Sequence, residues 1–312
     1  MKVGFIGLGN VGGKLAGSLV RNGVPTVVRD LDRAAAEPLL AAGAEWAESP
    51  AAMAEAVDVL ITCLPSPAAS AAVMEEALPA FREGQIWAEM STTDAEEVTR
   101  LAALVEARGG EAMDCPVSGG CHRAATGNIA IFAGGARGTF ERLLPVLTVL
   151  GRRVLHTGPL GSASVLKVVT NYLATANLVS LAEALTVSKA AGMDLATAFE
   201  AIRISSGNSF VHETESQVIL NGSREINFTM DLVAKDIGLF QQVADRAGVP
   251  LEVSPKLIEI FADAIGRYGP RERSPNIIRR LEDATGLDIR AEGFPAEMVD
   301  DEPEERGAEV TR

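Results

Sequence analysis

Val3-Gly4-Phe5-Ile6-Gly7-Leu8-Gly9-Asn10-Val11-Gly12 decides how the rest of the chain is read. An apolar run of strand length passes directly into G-x-G-x-x-G, and Val11 to Asn22 continues at helical period. A strand, a glycine turn and a helix in that order form a phosphate-binding β-to-α connection. Gly7 allows the tight turn, Gly9 lets backbone approach a pyrophosphate, and Gly12 lets helix and strand pack closely. The N–H groups opening the helix then face the phosphates, with Leu8, Asn10 and Val11 between the glycines. A bare turn with no ligand would carry the same glycines. Asp30, 18 residues after Gly12 and behind Thr26-Val27-Val28, separates the two readings. A carboxylate at the end of the second strand accepts the ribose hydroxyls and repels a 2′-phosphate, which favours NAD over NADP. Arg29 and Arg33 are the neighbours that could instead pair with a phosphate.

Further apolar runs follow at Val57 to Leu64, Gln85 to Ala88, Glu111 to Met113 and Ile129 to Ala133. Helical stretches at Asp32 to Ala42 and Asp94 to Ala107 alternate with them. The order β-α-β-α-β predicts an α/β, Rossmann-type, doubly wound parallel sheet over residues 1–161. After Gly158-Pro159-Leu160-Gly161 the composition turns helical and apolar almost all round, which predicts a buried inter-domain helix over 162–191. Ala196 to Ile202, Thr229 to Ala247 and Pro255 to Tyr268 predict an all-helical C-terminal domain over 192–296, with no convincing strand after His156. Residues 297–312 hold seven acids and two bases with almost nothing apolar, and are expected to be a frayed or disordered tail.

The 312 residues are 47% hydrophobic and carry a net charge of −14, which argues against nucleic acid or anionic membrane as partners. The strand-like run beginning at Val3 argues against a signal peptide. The longest charge-free run, between Asp58 and Glu75, carries Pro65 and Pro67 and does not suit a membrane span. Three cysteines make no disulfide framework, so a reducing, cytoplasmic setting is expected. Three scattered histidines offer no metal-ligand spacing, and no metal is expected.

Lys167 is the unusual residue of the apolar helix, and Asn171, four residues on, shares its face. Burial of an ammonium lowers its pKa toward neutrality, where it serves as a general acid/base for a hydroxyl proton. A structural lysine that snorkels, or that pairs with a carboxylate such as Glu183, is the other reading. Asp114-Cys115-Pro116-Val117-Ser118-Gly119-Gly120 has the makings of a carboxylate cradle, since a Ser-Gly-Gly turn can aim N–H groups and a hydroxyl at an anion. An ordinary glycine-rich loop has the same composition. Lys235-Asp236, taken alone, reads as a solvated surface pair.

Together these segments resemble the β-hydroxyacid dehydrogenase family, over Lys2 to about Ser274. Gly4 to Gly12 resembles its cofactor signature, and Cys63-Leu64-Pro65-Ser66 its loop beside the nicotinamide. Ser91-Thr92 is similar to its cofactor contact, and Asp114 to Gly120 to its substrate motif. Gly158 to Gly161 followed by Lys167 to Asn171 resembles its catalytic segment, and Lys235-Asp236 its late Lys-Asp pair. The resemblance implies Lys167 as catalytic acid/base, and Ser118, Gly119, Gly120, Asn171 and Lys235 as substrate contacts. It implies Gly7 to Gly12, Asp30, Leu64, Pro65, Thr92 and Lys235 as cofactor contacts. It further implies a homodimer or homotetramer acting on a small carboxylate. NADP-preferring members have Asn-Arg where this chain has Asp30-Leu31.

The expected activity is an NAD-dependent dehydrogenase of a small 3-hydroxy acid, with 3-hydroxyisobutyrate first. Reduction of tartronate semialdehyde, succinic semialdehyde or sulfolactaldehyde, imine reduction, and a non-enzymatic nucleotide sensor are the alternatives. Cys121-His122-Arg123 and Glu89 depart from the family pattern. His122 and Arg123 could line the pocket and widen anion recognition, but one or both are expected to face solvent, and Glu89 is expected to be without consequence.

Overall fold

Strand residues that alternate in direction supply both faces of one sheet. The computed structural model describes residues 1–311. The first elements are β1 (Val3–Ile6), α1 (Gly12–Arg21), β2 (Thr26–Arg29), α2 (Glu37–Ala41), β3 (Glu45–Trp46), α3 (Pro50–Ala56), β4 (Val59–Thr62), α4 (Pro67–Ala77), β5 (Ile86–Glu89), α5 (Ala95–Glu106) and β6 (Glu111–Asp114). Then come β7 (Val117–Ser118), α6 (Gly120–Ala125), β8 (Ala130–Gly134), α7 (Arg137–Leu150), β9 (Arg153–Gly158) and α8 (Ser162–Ala190). The remainder is α9 (Leu195–Arg203), α10 (Phe210–Asn221), α11 (Met230–Arg246), α12 (Val253–Tyr268), α13 (Arg279–Thr285) and β10 (Ala308–Glu309). By Cα packing the chain divides within α8. One unit is Met1–Lys167 with the segment from Asp300, and the other is Val168–Val299.

In the first unit the strand order is β10-β9-β8-β6-β5-β4-β1-β2-β3. Strands β3 to β6 stand in the doubly wound order, whose direction reverses between β1 and β4, where the glycine turn emerges. The strands pair in parallel except where β8 meets β6 and β7. Val3, Phe5, Val59 and Ile61 face one apolar layer with Leu15 and Leu19 of α1. Ile6, Leu60 and Trp87 face the other, with Met53 of α3 and Met74 of α4. The expected run Asp32 to Ala42 divides into a 3₁₀ turn at Arg33–Ala36, capped by the Asp32 carboxylate, and α2. The two-residue strands β3 and β7 are too short to show a period in sequence.

In the second unit Leu185, Phe199, Ile219, Ile237, Phe261 and Ile278 form the core of a helical body. Helix α8 is long and apolar enough to cross a membrane by length and composition alone. Leu178, Leu181, Ala182 and Leu185 instead pack into that core. Its complete burial, expected from a helix without a polar face, is corrected. Leu173 is 53% and Val187 67% exposed, because one stripe suffices to fill the core and the remainder carries small residues such as Ser180 and Ala184.

The expectation that residues 297–312 fray is also corrected, as is the absence of a strand after His156. Ala308–Glu309 adds in parallel to the outer edge of β9, with Val310 N–H donating to Val154 O at 2.8 Å. Glu302, Glu304, Glu305 and Glu309 pair with Arg123, Arg21, Arg152 and Arg137 at 3.3, 3.1, 2.7 and 2.5 Å. The acids are thus drawn to four arginines scattered along the first unit, and the strand pairing satisfies an otherwise open sheet edge. Arg312, the last residue of that segment, lies outside the described residues. Removing residues 300–312 is expected to lower the melting temperature by about 3–10 °C, since exposed ion pairs count for little but the edge pairing and packing are lost together. Differential scanning calorimetry checks this, and an unchanged transition would show the seat to be energetically idle.

Candidate active site

The glycine turn is built by close backbone contacts. Gly7 has φ +99°, and a Cβ on it would stand 2.2 Å from Cys63 O. A Cβ on Gly12 would stand 2.0 Å from Gly7 O. At Gly9 a Cβ would meet nothing within 4 Å, so the space above the turn is open. Helix α1 begins there with no capping side chain on its first N–H groups. The Asp30 carboxylate accepts from Leu8 N–H at 2.6 Å and Asp32 N–H at 3.0 Å, which fastens the end of β2 to the turn. An open N-terminus, an open approach at Gly9 and a carboxylate beside them fit a pyrophosphate and its ribose.

Next to the turn, at the end of β4, Leu64 N–H donates to Ser91 Oγ at 2.7 Å. The Ser91 hydroxyl in turn donates to Glu89, which also accepts Ser91 N–H at 2.8 Å. Glu89 is fully buried, and burial pushes its carboxyl up against the pull of these hydrogen bonds. Glu89 thus holds the serine that holds the Leu64-Pro65 loop. Thr92 is half-buried beside it. Burial, followed by the nearby Glu89 carboxylate, pushes the Cys63 thiol up to about 12, so it stays a neutral packing group at this corner.

Asp114, at the end of β6, joins two of the expected segments. It accepts from Gly161 N–H at 2.9 Å, Ser164 N–H at 2.6 Å and Ser164 Oγ at 2.9 Å, and so caps the N-terminus of α8 from outside the helix. Burial pushes its carboxyl up while these three donors oppose the shift. Lys167 follows Ser164 by one turn and is 8% exposed. Ser118 pairs with Ala130, and Gly119 and Gly120 take φ +132° and +87°, a turn that only glycine makes without strain. His122 and Arg123 are both half-buried. A Cβ on Gly120 would meet the His122 ring at 2.9 Å, and one on Gly119 would meet Arg123 Cδ at 3.3 Å. Both side chains lie against the Gly119-Gly120 turn and remain partly open to solvent. Burial, then the Arg123 charge, pushes the His122 imidazole below its ordinary value.

In the helical unit, Asp236 is 3% exposed and holds two expected substrate contacts at once. Asn171 Nδ2 donates to Asp236 Oδ2 at 2.5 Å, and Lys235 Nζ lies 2.7 Å from Asp236 Oδ1. The pair is not a solvated surface pair. Asp236 is the residue that a sequence reading undervalues, because its partner Asn171 lies 65 residues away. Among the described residues no group of three His, Cys, Asp or Glu side chains is arranged to hold a metal ion.

The arrangement of the first unit has counterparts in known proteins. Residues 2–158 match the NAD-binding domain of 6-phosphogluconate dehydrogenase, and residues 161–281 match the NAD-binding region of NADP-dependent 3-hydroxyisobutyrate dehydrogenase. The chain is 32% identical to 2-(hydroxymethyl)glutarate dehydrogenase of Eubacterium barkeri, over 93% of this chain and 97% of that one. It is 33% identical to the mitochondrial 3-hydroxyisobutyrate dehydrogenase of Rattus norvegicus, over 83% and 80%. A Mycobacterium tuberculosis 3-hydroxyisobutyrate dehydrogenase solved with L-serine superposes with a TM-score of 0.80, at 26% identity over 90% of this chain and 98% of that one. With matches that run through both halves at this identity and coverage, the chain belongs to the β-hydroxyacid dehydrogenase family, whose first domain binds a nicotinamide dinucleotide.

Proposed function

We propose that this chain is an NAD-dependent dehydrogenase of a small 3-hydroxy acid whose hydroxyl is a primary alcohol. The observation that carries the proposal is Lys167, buried one turn beyond a helix end that Asp114 pins. NAD, when bound, supplies the hydride acceptor. Lys167 takes the hydroxyl proton during oxidation and returns it in reduction. The Ser118 hydroxyl and the Gly119 and Gly120 N–H groups hold the carboxylate. Leu64, Pro65 and Thr92 are proposed beside the nicotinamide, and Asn171 and Lys235 as further polar contacts from the helical unit. 2-(Hydroxymethyl)glutarate, 3-hydroxyisobutyrate and serine, the compounds in the names above, share HO–CH₂–CH(R)–COO⁻ and differ in R, which supports that unit as the substrate class. 3-Hydroxyisobutyrate ranks first, and the semialdehydes of related acids belong to the reverse direction. A buried lysine placed for proton transfer argues against a mere nucleotide sensor, which needs no acid/base. The exposed apolar stripe of α8 supports a homo-oligomer, and three free cysteines support a reducing compartment.

NAD is the preferred cofactor in this proposal, because the arginines that could take a 2′-phosphate are engaged. Arg29 Nη1 donates to Glu48 O at 2.6 Å and Ala47 O at 3.2 Å. The Arg33 guanidinium lies 4.9 Å over the Trp46 ring and 3.5 Å from Glu48. A kcat/KM with NAD at least about tenfold above that with NADP is expected. Steady-state turnover of the three acids, their semialdehydes and a cyclic imine, with each cofactor, tests both statements. Equal use of NADP would sink the cofactor assignment. Imine reduction without alcohol oxidation would sink the activity.

A further inference from the structure

The C-terminal segment does more than close a sheet edge, because it grips the far end of the helix that begins at the cradle. Helix α6 has six residues, from Gly120 to Ala125, and opens directly behind Ser118 and Gly119. At its other end the Thr126 hydroxyl donates to Asp300. Asn128 Nδ2 donates to Asp300 Oδ2 at 2.7 Å and to Glu302 O at 2.9 Å. Arg123 Nη2 donates to Glu302 Oε1 at 3.3 Å. Arg21 bridges the same end, donating to Ala125 O at 2.8 Å and Glu304 at 3.1 Å. Asn128 is buried at this contact. Arg123 also leans over Gly119, so a displacement at Glu302 reaches the cradle in one side chain.

We propose that Asp300 is a positioning residue for the substrate loop: by holding Thr126 and Asn128, with Glu302 on Arg123, the C-terminal segment fixes α6 and thereby the Ser118-Gly119-Gly120 turn that receives the carboxylate. The proposal rests on that turn being the carboxylate cradle. A six-residue helix has too few internal hydrogen bonds to hold itself. Its fixed end is therefore the one tied from outside. A loosened α6 weakens substrate binding more than the chemical step, since Lys167 and its cap do not depend on it.

Three variants of the full chain test this: Asp300→Ala, Asp300→Asn and Glu309→Gln. The last loosens the tail at Arg137, away from α6. Asp300→Ala is expected to raise KM for the hydroxy acid about tenfold while kcat stays within about twofold. NADH affinity by fluorescence titration should not change, and amide exchange across residues 115–128 should accelerate. Asp300→Asn keeps one acceptor and should fall between. Glu309→Gln should leave KM and exchange in 115–128 as they are, even with a lower melting temperature. Unchanged exchange in Asp300→Ala would overturn the grip on α6, whatever the turn binds. Accelerated exchange with an unchanged KM would show that Ser118 to Gly120 is not the cradle, and would remove the proposal together with that assignment. Equal KM increases in Asp300→Ala and Glu309→Gln would reduce the tail to general stability and overturn it as well.

Discussion

Lys167→Ala is expected to lose about 10²- to 10⁴-fold in kcat, the usual loss for a positioned acid/base, while NADH binds as before. The side chain is 8% exposed and stands one turn from the capped end of α8. It lies far in sequence from the Gly7 to Gly12 turn and Asp30, the proposed dinucleotide contacts. In the proposed mechanism it contributes to the proton transfer, so kcat is expected to carry most of the deficit and KM little. Lys167→Arg should not restore turnover, because a guanidinium stays protonated and cannot accept the hydroxyl proton. Single-turnover kinetics with an NADH titration as control decides the matter. Near-wild-type kcat in the alanine variant would end the proposed mechanism. A collapsed melting temperature with it would identify Lys167 as a structural lysine.

Asp114 variants are expected to lose both stability and activity, and the isosteric change should be nearly as damaging as truncation. Asp114→Ala leaves two buried N–H groups, those of Gly161 and Ser164, without an acceptor. Lost charged hydrogen bonds and stranded donors together cost about 2–5 kcal/mol, which lowers the melting temperature by about 5–15 °C. Asp114→Asn substitutes a donor for one acceptor atom, and that NH₂ group must then face Gly161 N–H or Ser164 N–H. The site takes an acceptor at both oxygens, so asparagine is not conservative here. Because the same bonds orient the start of α8, kcat should fall in both variants while NADH affinity holds. Thermal unfolding alongside steady-state kinetics is the check. A stable, active Asp114→Asn would show that one oxygen suffices.

What the sequence discloses and what it hides divide along contact distance. Gly7 to Gly12 and Asp30 are legible because the whole arrangement lies within one β-α-β unit, and period and spacing report it. Lys167 stands out because a charge interrupts an apolar run. The grip of Asp114 on α8 spans 47 and 50 residues, and no local pattern records it. Asp236 binds Asn171 across 65, and a surface Lys-Asp pair has the same local spelling. Glu89 is visible as a departure, but its bond to the serine that holds Leu64 depends on two adjacent strand ends. Acidic composition makes the tail look disordered because composition counts charges without showing the four arginines that receive them. Its seat on β9 arises about 150 residues earlier in the chain, where an edge strand looks like any other.

The return of residues 300–311 to the sheet also bears on synthesis. A chain that emerges from its N-terminus can assemble β1 to β9 early, but the outermost strand is made only after the entire helical unit. Until then β9 presents bare N–H and C=O groups, a template on which another nascent chain can pair. The strand that closes the first-built half is thus made after the helices, and a ribosome that stalls between α13 and β10 would release a molecule with its helices complete and its sheet still adhesive.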